Sequence, residues 1–214
     1  MSKEGLGIIV GMALLSGILL AASLVTGHFN LKIAAGISIF LTVFIMYFFR
    51  DPERTIPAGA NNILSPADGK VVDIREHFED EFLQEKCTRV SIFLSVFNVH
   101  VNRIPIAGAV KYFRYQKGAF VNAYKSDASE INEQTVIGIE NGKCNILFKQ
   151  IAGLIARRIV CNIREGDTVN LGERFGIIKF GSRVDIFFPK NVEVKVKLKE
   201  KVKGGQSIIG VIKT

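Results

Sequence analysis

The chain has 214 residues, 48% of them hydrophobic, with 28 Lys and Arg against 20 Asp and Glu and a formal net charge of +8. That length holds one sizeable domain with an appendage, not two full domains. The charge suits an anionic surface, and composition alone leaves nucleic acid and an acidic membrane leaflet both open. Three cysteines without a Cys-x-x-Cys pair, no Trp and three His argue against a disulfide framework or a multi-histidine metal centre. Cys87, Cys144 and Cys161 read as reduced core thiols, and no metal is expected.

Leu6 to Val25 is uncharged and apolar, close to the ~20 residues that a bilayer core requires. The turn formers of residues 26–30 break it, and a second apolar run follows from Ile33 to Phe49. The pattern predicts a membrane-attaching helical hairpin over residues 1–50. A cleaved signal peptide fits less well, because Ala21-Ala22-Ser23 leads straight into the second apolar segment. Lys3, Arg50 and Arg54 flank the hairpin, so the positive-inside rule puts both ends and the rest of the chain on the cytoplasmic side of the cell membrane. Lys32, near the turn, can snorkel to the far interface. Gly5, Gly7, Gly11 and Gly17 also suit a hairpin embedded in one leaflet. A membrane surface is therefore the expected anionic partner, and nucleic acid is not.

The proline-bracketed segment Asp51–Pro57 ends the helix and marks a domain boundary. Beyond it, residues 51–214 switch to short runs rich in Val, Ile and Phe. Strands are predicted at Lys70–Ile74, Arg89–Val96, Ala109–Tyr115, Val136–Glu140, Cys144–Gln150, Lys179–Phe188 and Glu193–Leu198, separated by turns such as Asp68-Gly69 and Asn141-Gly142. A helix is expected at Ile151–Arg158, and a solvated loop or short helix at Glu76–Glu85. Residues 165–172 leading to Gly176-Ile177 resemble residues 200–205 leading to Gly210-Val211. The expected fold is mainly β: a duplicated barrel-sandwich core of the biotinyl/lipoyl type behind an N-terminal hydrophobic helical hairpin.

Gly181-Ser182 interrupts a strand pattern at Phe180-Gly181-Ser182-Arg183. On spacing alone it reads as a bulge, or as a small pair at a reactive turn. It is not a Gly-x-Ser-x-Gly hydrolase elbow, because Phe180 and Val184 stand where glycines would be needed. Asp68 reads as an Asp-Gly turn residue. His100 reads as a half-buried histidine among alternating valines, and Arg103 as a surface arginine.

Gly172–Pro189 closely resembles the processing site of the short-chain, pyruvoyl-dependent phosphatidylserine decarboxylase proenzymes. The apolar hairpin, Arg50-Asp51-Pro52-Glu53-Arg54, Ser65-Pro66-Ala67-Asp68-Gly69-Lys70-Val71 and residues 93–103 carry the same likeness in the same order. The resemblance implies serinolysis at Gly181-Ser182, giving a β chain of residues 1–181 and an α chain of residues 182–214 that stay together as a heterodimer or higher oligomer. Ser182 then becomes a covalent pyruvoyl group that forms a Schiff base with the substrate amine and serves as electron sink for decarboxylation. The product that the resemblance implies, from phosphatidylserine, is phosphatidylethanolamine. The resemblance extends to archaetidylserine decarboxylases, so ester and ether lipids are both open.

It further implies that Asp68 is the acidic partner in self-cleavage and His100 a proton-transfer group. The longer-chain branch has a second histidine where this chain has Arg103, whose forked donors suit a lipid phosphate or carboxylate. Lys190, Lys195, Lys197, Lys199, Lys201 and Lys203 alternate with Val and Leu as if on one exposed strand face, fit to meet anionic headgroups. Two rivals are a membrane-tethered carrier or adaptor without activity, and a serine hydrolase using Ser182 and His100.

Overall fold

In the computed structural model, which describes residues 1–121, 131–154, 159–179 and 181–213, the two apolar runs form α1 (Lys3–Thr26) and α2 (Phe29–Phe48). Both helices are long and apolar enough to cross a membrane. Ser2 caps α1 by accepting from the Glu4 amide at 3.3 Å. With apolar side chains on every face, small hydroxyl residues mark the seam between the helices. Ser16 Oγ lies 2.8 Å from Ser38 Oγ and 3.0 Å from Thr42 Oγ1. Gly5 leaves room for the Phe49 ring, where a Cβ would come within 2.2 Å of it.

The chain divides into two compact units, Met1–Glu53 and Arg54–Thr214. Within the second, the described residues form β1 (Asn62–Leu64), β2 (Gly69–Glu79), β3 (Glu85–Leu94), β4 (Val101–Arg103), β5 (Gly108–Gln116), β6 (Gln134–Glu140), β7 (Asn145–Ile151), β8 (Ile159–Cys161), β9 (Thr168–Val169), β10 (Arg174–Ile178), β11 (Ser182–Phe188), β12 (Val192–Val194), β13 (Lys201–Val202) and β14 (Ile208–Ile212). Eight strands form one sheet in the order β13-β2-β3-β11-β7-β6-β5-β9, and two small sheets run β1-β14-β12 and β4-β10-β8.

The pairings repeat. β14 lies between β1 and β12, β2 between β13 and β3, and β3 meets β11; likewise β10 lies between β4 and β8, β5 between β9 and β6, and β6 meets β7. The second set, β4–β10, is nested in the first between β3 and β11, and the two sets join where β11 pairs with β7. Even the irregularities match. The register skips Ile209 where β14 meets β1 and Phe175 where β10 meets β4. It skips Val72 in β2 and Lys111 in β5. Reciprocal amides tie the halves: Leu64 N donates to Pro105 O and Arg103 N to Pro66 O, both at 2.9 Å. In the two look-alike stretches, Asp167 accepts from the Arg164 amide at 2.8 Å and Glu200 from the Lys197 amide at 2.9 Å. The mainly β, duplicated core is the observed architecture.

A core of Ile63, Val90, Ile137, Phe148, Phe175, Ile186 and Phe188, among others, fills the interior. Burial pushes the thiols of Cys87, Cys144 and Cys161 up to about 11, so they stay protonated and unreactive.

Several local expectations fail. The acidic stretch is neither a solvated loop nor a short helix but the tip of the β2–β3 hairpin. Glu79 accepts the backbone N–H groups of Glu81, Phe82 and Leu83, and Phe82 stacks on Tyr112 with ring centroids 6.1 Å apart. Glu81 accepts from Tyr112, Arg114 and Lys149. Ile151 closes β7, held by pairing with both Gln134 and Arg183, and residues 152–154 are not helical; residues 155–158 lie outside the described part. Of the strand expected at Lys179–Phe188, Ser182–Phe188 is strand (β11), while Lys179 and Gly181 lie outside it. Glu193–Leu198 is strand only to Val194, and a turn follows, so the alternating lysines do not share one strand face.

Candidate active site

Ser182 opens β11 opposite Leu94 of β3. Alternation along the strand puts Ser182, Val184, Ile186 and Phe188 on the core face and Arg183, Asp185 and Phe187 on the other. Ser182 is fully buried, and its Oγ has no hydrogen-bond partner among the described residues. A stranded buried hydroxyl costs about 1–3 kcal/mol, so its retention calls for a chemical reason. Gly181 before it has φ +44°, a conformation that strains any residue with a side chain. Space is not the constraint, because a Cβ there would meet nothing within 4 Å. The cross-strand partner of Ser182, Leu94, and its same-face neighbour Val184 belong to an apolar cluster with Ala67, Ala152 and Ile178, with Phe120 and Ile159 at its margin.

His100 reaches this cluster through a turn that the Phe-Asn-Val-His segment builds for itself. Asn98 Oδ1 accepts from Ser95 N at 2.9 Å and Ser95 Oγ at 2.8 Å, which fixes the loop leaving Leu94. The Asn98 carbonyl lies 3.0 Å from His100 Nδ1. A carbonyl can only accept, so Nδ1 carries a proton, and in the neutral tautomer the lone pair is on Nε2. His100 is fully buried, and its own carbonyl accepts from Ile178 N at 3.4 Å.

Asp68 sits in the turn entering β2, one residue after Ala67 of the same cluster. Its carboxylate accepts from Arg54 Nη2 at 3.1 and 2.9 Å and from Gly204 N at 2.8 Å. Thus Ser182, His100 and Asp68, distant in sequence, each adjoin or contact a member of one apolar cluster. Arg103 is different. By alternation it lies on the opposite side of β4 from Asn102, donates to Gly172 O at 3.0 Å, and packs its Cδ over Gly205.

Sequence reasoning passed over Arg54 as a partner of Asp68 and Asn98 as the residue orienting His100. It also missed a buried trio on the outer face of β11, where Arg183 donates to both oxygens of Asp185 (2.6 and 2.9 Å) and to Ser91 Oγ (2.8 Å). The signal for this trio was present: charged residues at 183 and 185 in a strand otherwise apolar. Also unforeseen is a string in which Thr135 Oγ1 donates to Gln150 Oε1 at 2.6 Å and Gln150 Nε2 to Asn102 Oδ1 at 2.8 Å.

Residues 41–210 match the family model described as phosphatidylserine decarboxylase. A protein of Syntrophus aciditrophicus named phosphatidylserine decarboxylase proenzyme is 52% identical over 171 residues, covering 79% of this chain and 80% of that one. Proteins of the same name match at 42% identity over 213 residues in Chlorobium phaeobacteroides strain BS1, the full length of both chains, and at 45% over 216 residues in Magnetococcus marinus, 99% of this chain and 95% of that one.

Proposed function

The chain belongs to the phosphatidylserine decarboxylase family, and from that premise we propose that it cleaves itself at Gly181–Ser182 and then converts phosphatidylserine to phosphatidylethanolamine and carbon dioxide. Membership in an enzyme family sets the carrier reading aside. The observation that carries the proposal is the buried Ser182 Oγ, without a hydrogen-bond partner among the described residues, directly after a glycine at φ +44°.

The residues suit this chemistry. Ser182 Oγ adds to the Gly181 carbonyl carbon, and the amide nitrogen leaves, so the peptide bond becomes an ester. Removal of the Ser182 α-proton expels the Gly181 carboxylate and leaves dehydroalanine. Its imine tautomer takes up water and loses ammonia, giving a pyruvoyl group at residue 182. The apolar cluster keeps bulk water from the ester before elimination. His100 Nε2, left with its lone pair by the Nδ1–carbonyl contact, is suited to accept and return protons. Asp68, anchored by Arg54 and Gly204, is the carboxylate assigned to maturation.

Once formed, the pyruvoyl group supplies an electron sink for the carbanion left by carbon dioxide. β11 lies between β3 and β7, and β14 between β1 and β12. The fragments 1–181 and 182–214 are therefore interwoven and stay together after the cut. The α1–α2 unit attaches the enzyme to the cell membrane, with the catalytic unit on the cytoplasmic side facing anionic lipid. An ether-linked serine lipid presents the same headgroup and is an equally acceptable substrate class.

Intact-mass measurement of the purified protein tests this reading. Two fragments are expected, the smaller beginning with a blocked, pyruvoyl-type N-terminus. A single unprocessed chain with decarboxylase activity would overturn it.

A further inference from the structure

The two matching halves of the β unit allow one molecule to serve as its own control. In the strand pairings, Ile63 stands opposite Gly210 as Asn102 stands opposite Gly176. Phe188 stands opposite Thr88 as Gln150 stands opposite Thr135. The first half thus places Ile63 and Phe188 where the second places Asn102 and Gln150. Ile63 and Phe188 are fully buried in the main core. Asn102 and Gln150 are just as buried, at 0% exposure each, yet polar and hydrogen-bonded to one another. The fold accepts an apolar pair here, so packing does not explain the polar one.

The string has a direction. Thr135 donates to Gln150, Gln150 donates to Asn102, and the Asn102 Nδ2 donor at its end has no hydrogen-bond partner among the described residues. A fully buried amide donor without an acceptor is unfavourable unless something else supplies one. Its position says where. Gln150 is paired with Val184, two residues along β11 from Ser182 and on the same face. Asn102 lies two residues beyond His100 and accepts from Gln150, whose same-face neighbour on β7, Phe148, belongs to the main core. Along the chain, Gly181 lies on the other side of Ser182 from Val184.

We propose that Asn102 is a substrate-contacting residue whose Nδ2 donates to the carboxylate of the serine headgroup; this rests on the decarboxylase reading above. The placement assigns it to turnover and not to self-cleavage, because its partner Gln150 pairs with Val184, C-terminal to residue 182, whereas the bond that is cut lies N-terminal to it. Asn102 thereby supplies the carboxylate contact that Arg103, turned to the other side of β4, is not placed to make.

The test uses the full-length, membrane-reconstituted enzyme with two variants: Asn102→Leu, and the double change Asn102→Ile with Gln150→Phe, which copies the apolar pair that the first half already packs. Both should mature to the wild-type cleaved fraction. Activity per mole of pyruvoyl group is measured with phosphatidylserine, and inhibition with phosphatidylethanolamine, which has the same headgroup without the carboxylate. Expected is a loss of about 10- to 100-fold in kcat/KM for phosphatidylserine, with inhibition by phosphatidylethanolamine unchanged. Unaltered kinetics, or equal weakening toward both lipids, overturns the inference. A wild-type chain that stays whole and inactive removes the decarboxylase reading itself and this inference with it, whereas a normal wild type beside normal variants removes the inference alone.

Discussion

Arg54 holds Asp68 in place: one guanidinium nitrogen serves both carboxylate oxygens at 3.1 and 2.9 Å, while the other donates to Gln206 Oε1 at 2.8 Å. The two side chains are only 9% and 12% exposed. With cleavage after Gly181, Arg54 and Asp68 belong to one fragment and Gly204 and Gln206 to the other, so the pair clasps the fragments together.

Arg54→Met should therefore destabilise the β unit by about 3 kcal/mol, because it leaves a buried carboxylate with one amide donor. It should also lower the cleaved fraction. Arg54→Lys should recover part of the stability but not the link to Gln206. Thermal melting and a denaturing gel of each variant check this. Wild-type Tm and complete cleavage in Arg54→Met would show that the clasp is dispensable.

Ser182→Ala should give one uncleaved, inactive chain that folds normally, since Oγ has no hydrogen bond to lose among the described residues. Gly181→Ala should fold with a penalty of about 1–2 kcal/mol and mature slowly, because its Cβ has space but its φ is unsuitable. Cleavage at this bond in Ser182→Ala, seen by mass, would exclude serinolysis.

Asp68→Asn should impair maturation more than turnover, and His100→Ala should lower turnover per pyruvoyl group by about 10²-fold or more, the usual scale of general acid catalysis. Maturation happens once, whereas turnover needs a proton in every cycle. Cleaved fraction and specific activity, measured separately, divide the roles. Normal turnover per pyruvoyl in His100→Ala would confine that residue to maturation.

Deleting residues 1–53, at the boundary between the two compact units, should release a soluble protein that still cleaves itself. A folded truncation that fails to mature would show that the helices also shape the reacting site.

Glu81 provides a pH marker of stability outside the site. Burial alone would raise its pKa, but hydrogen bonds from Arg114 and Tyr112 and the charge of Lys149 outweigh this and bring it from 4.5 to about 2. A depressed folded pKa adds stability above the unfolded value, and that contribution, about 2–3 kcal/mol, is lost as pH falls from 4.5 toward 2. Glu81→Gln should lack this contribution, so its Tm should fall less than that of the wild type between pH 5 and pH 3. Parallel Tm curves for the two proteins would contradict the assignment.

Elements whose signal is local could be read from the sequence. Two uninterrupted apolar runs have few alternatives to helices of bilayer length, and the repeated charged turns ending in Gly-Ile and Gly-Val announced a duplicated β core. Gly181-Ser182, Asp68 and His100 drew notice through motif order, not through any visible proximity. What needed the tertiary structure was everything set by partners far along the chain. Ile151 is strand because Gln134 and Arg183 flank it, and the acidic stretch is ordered because Glu81 finds Tyr112, Arg114 and Lys149. Arg103 faces away from Asn102 because side chains alternate along β4, and its partner Gly172 lies 69 residues further along the chain. The same holds for Asn102: its polarity means little until the fold sets it beside the first half, where an isoleucine fills the equivalent place. Sequence determined which residues could react, and the long-range pairing of strands decided which of them share an interior.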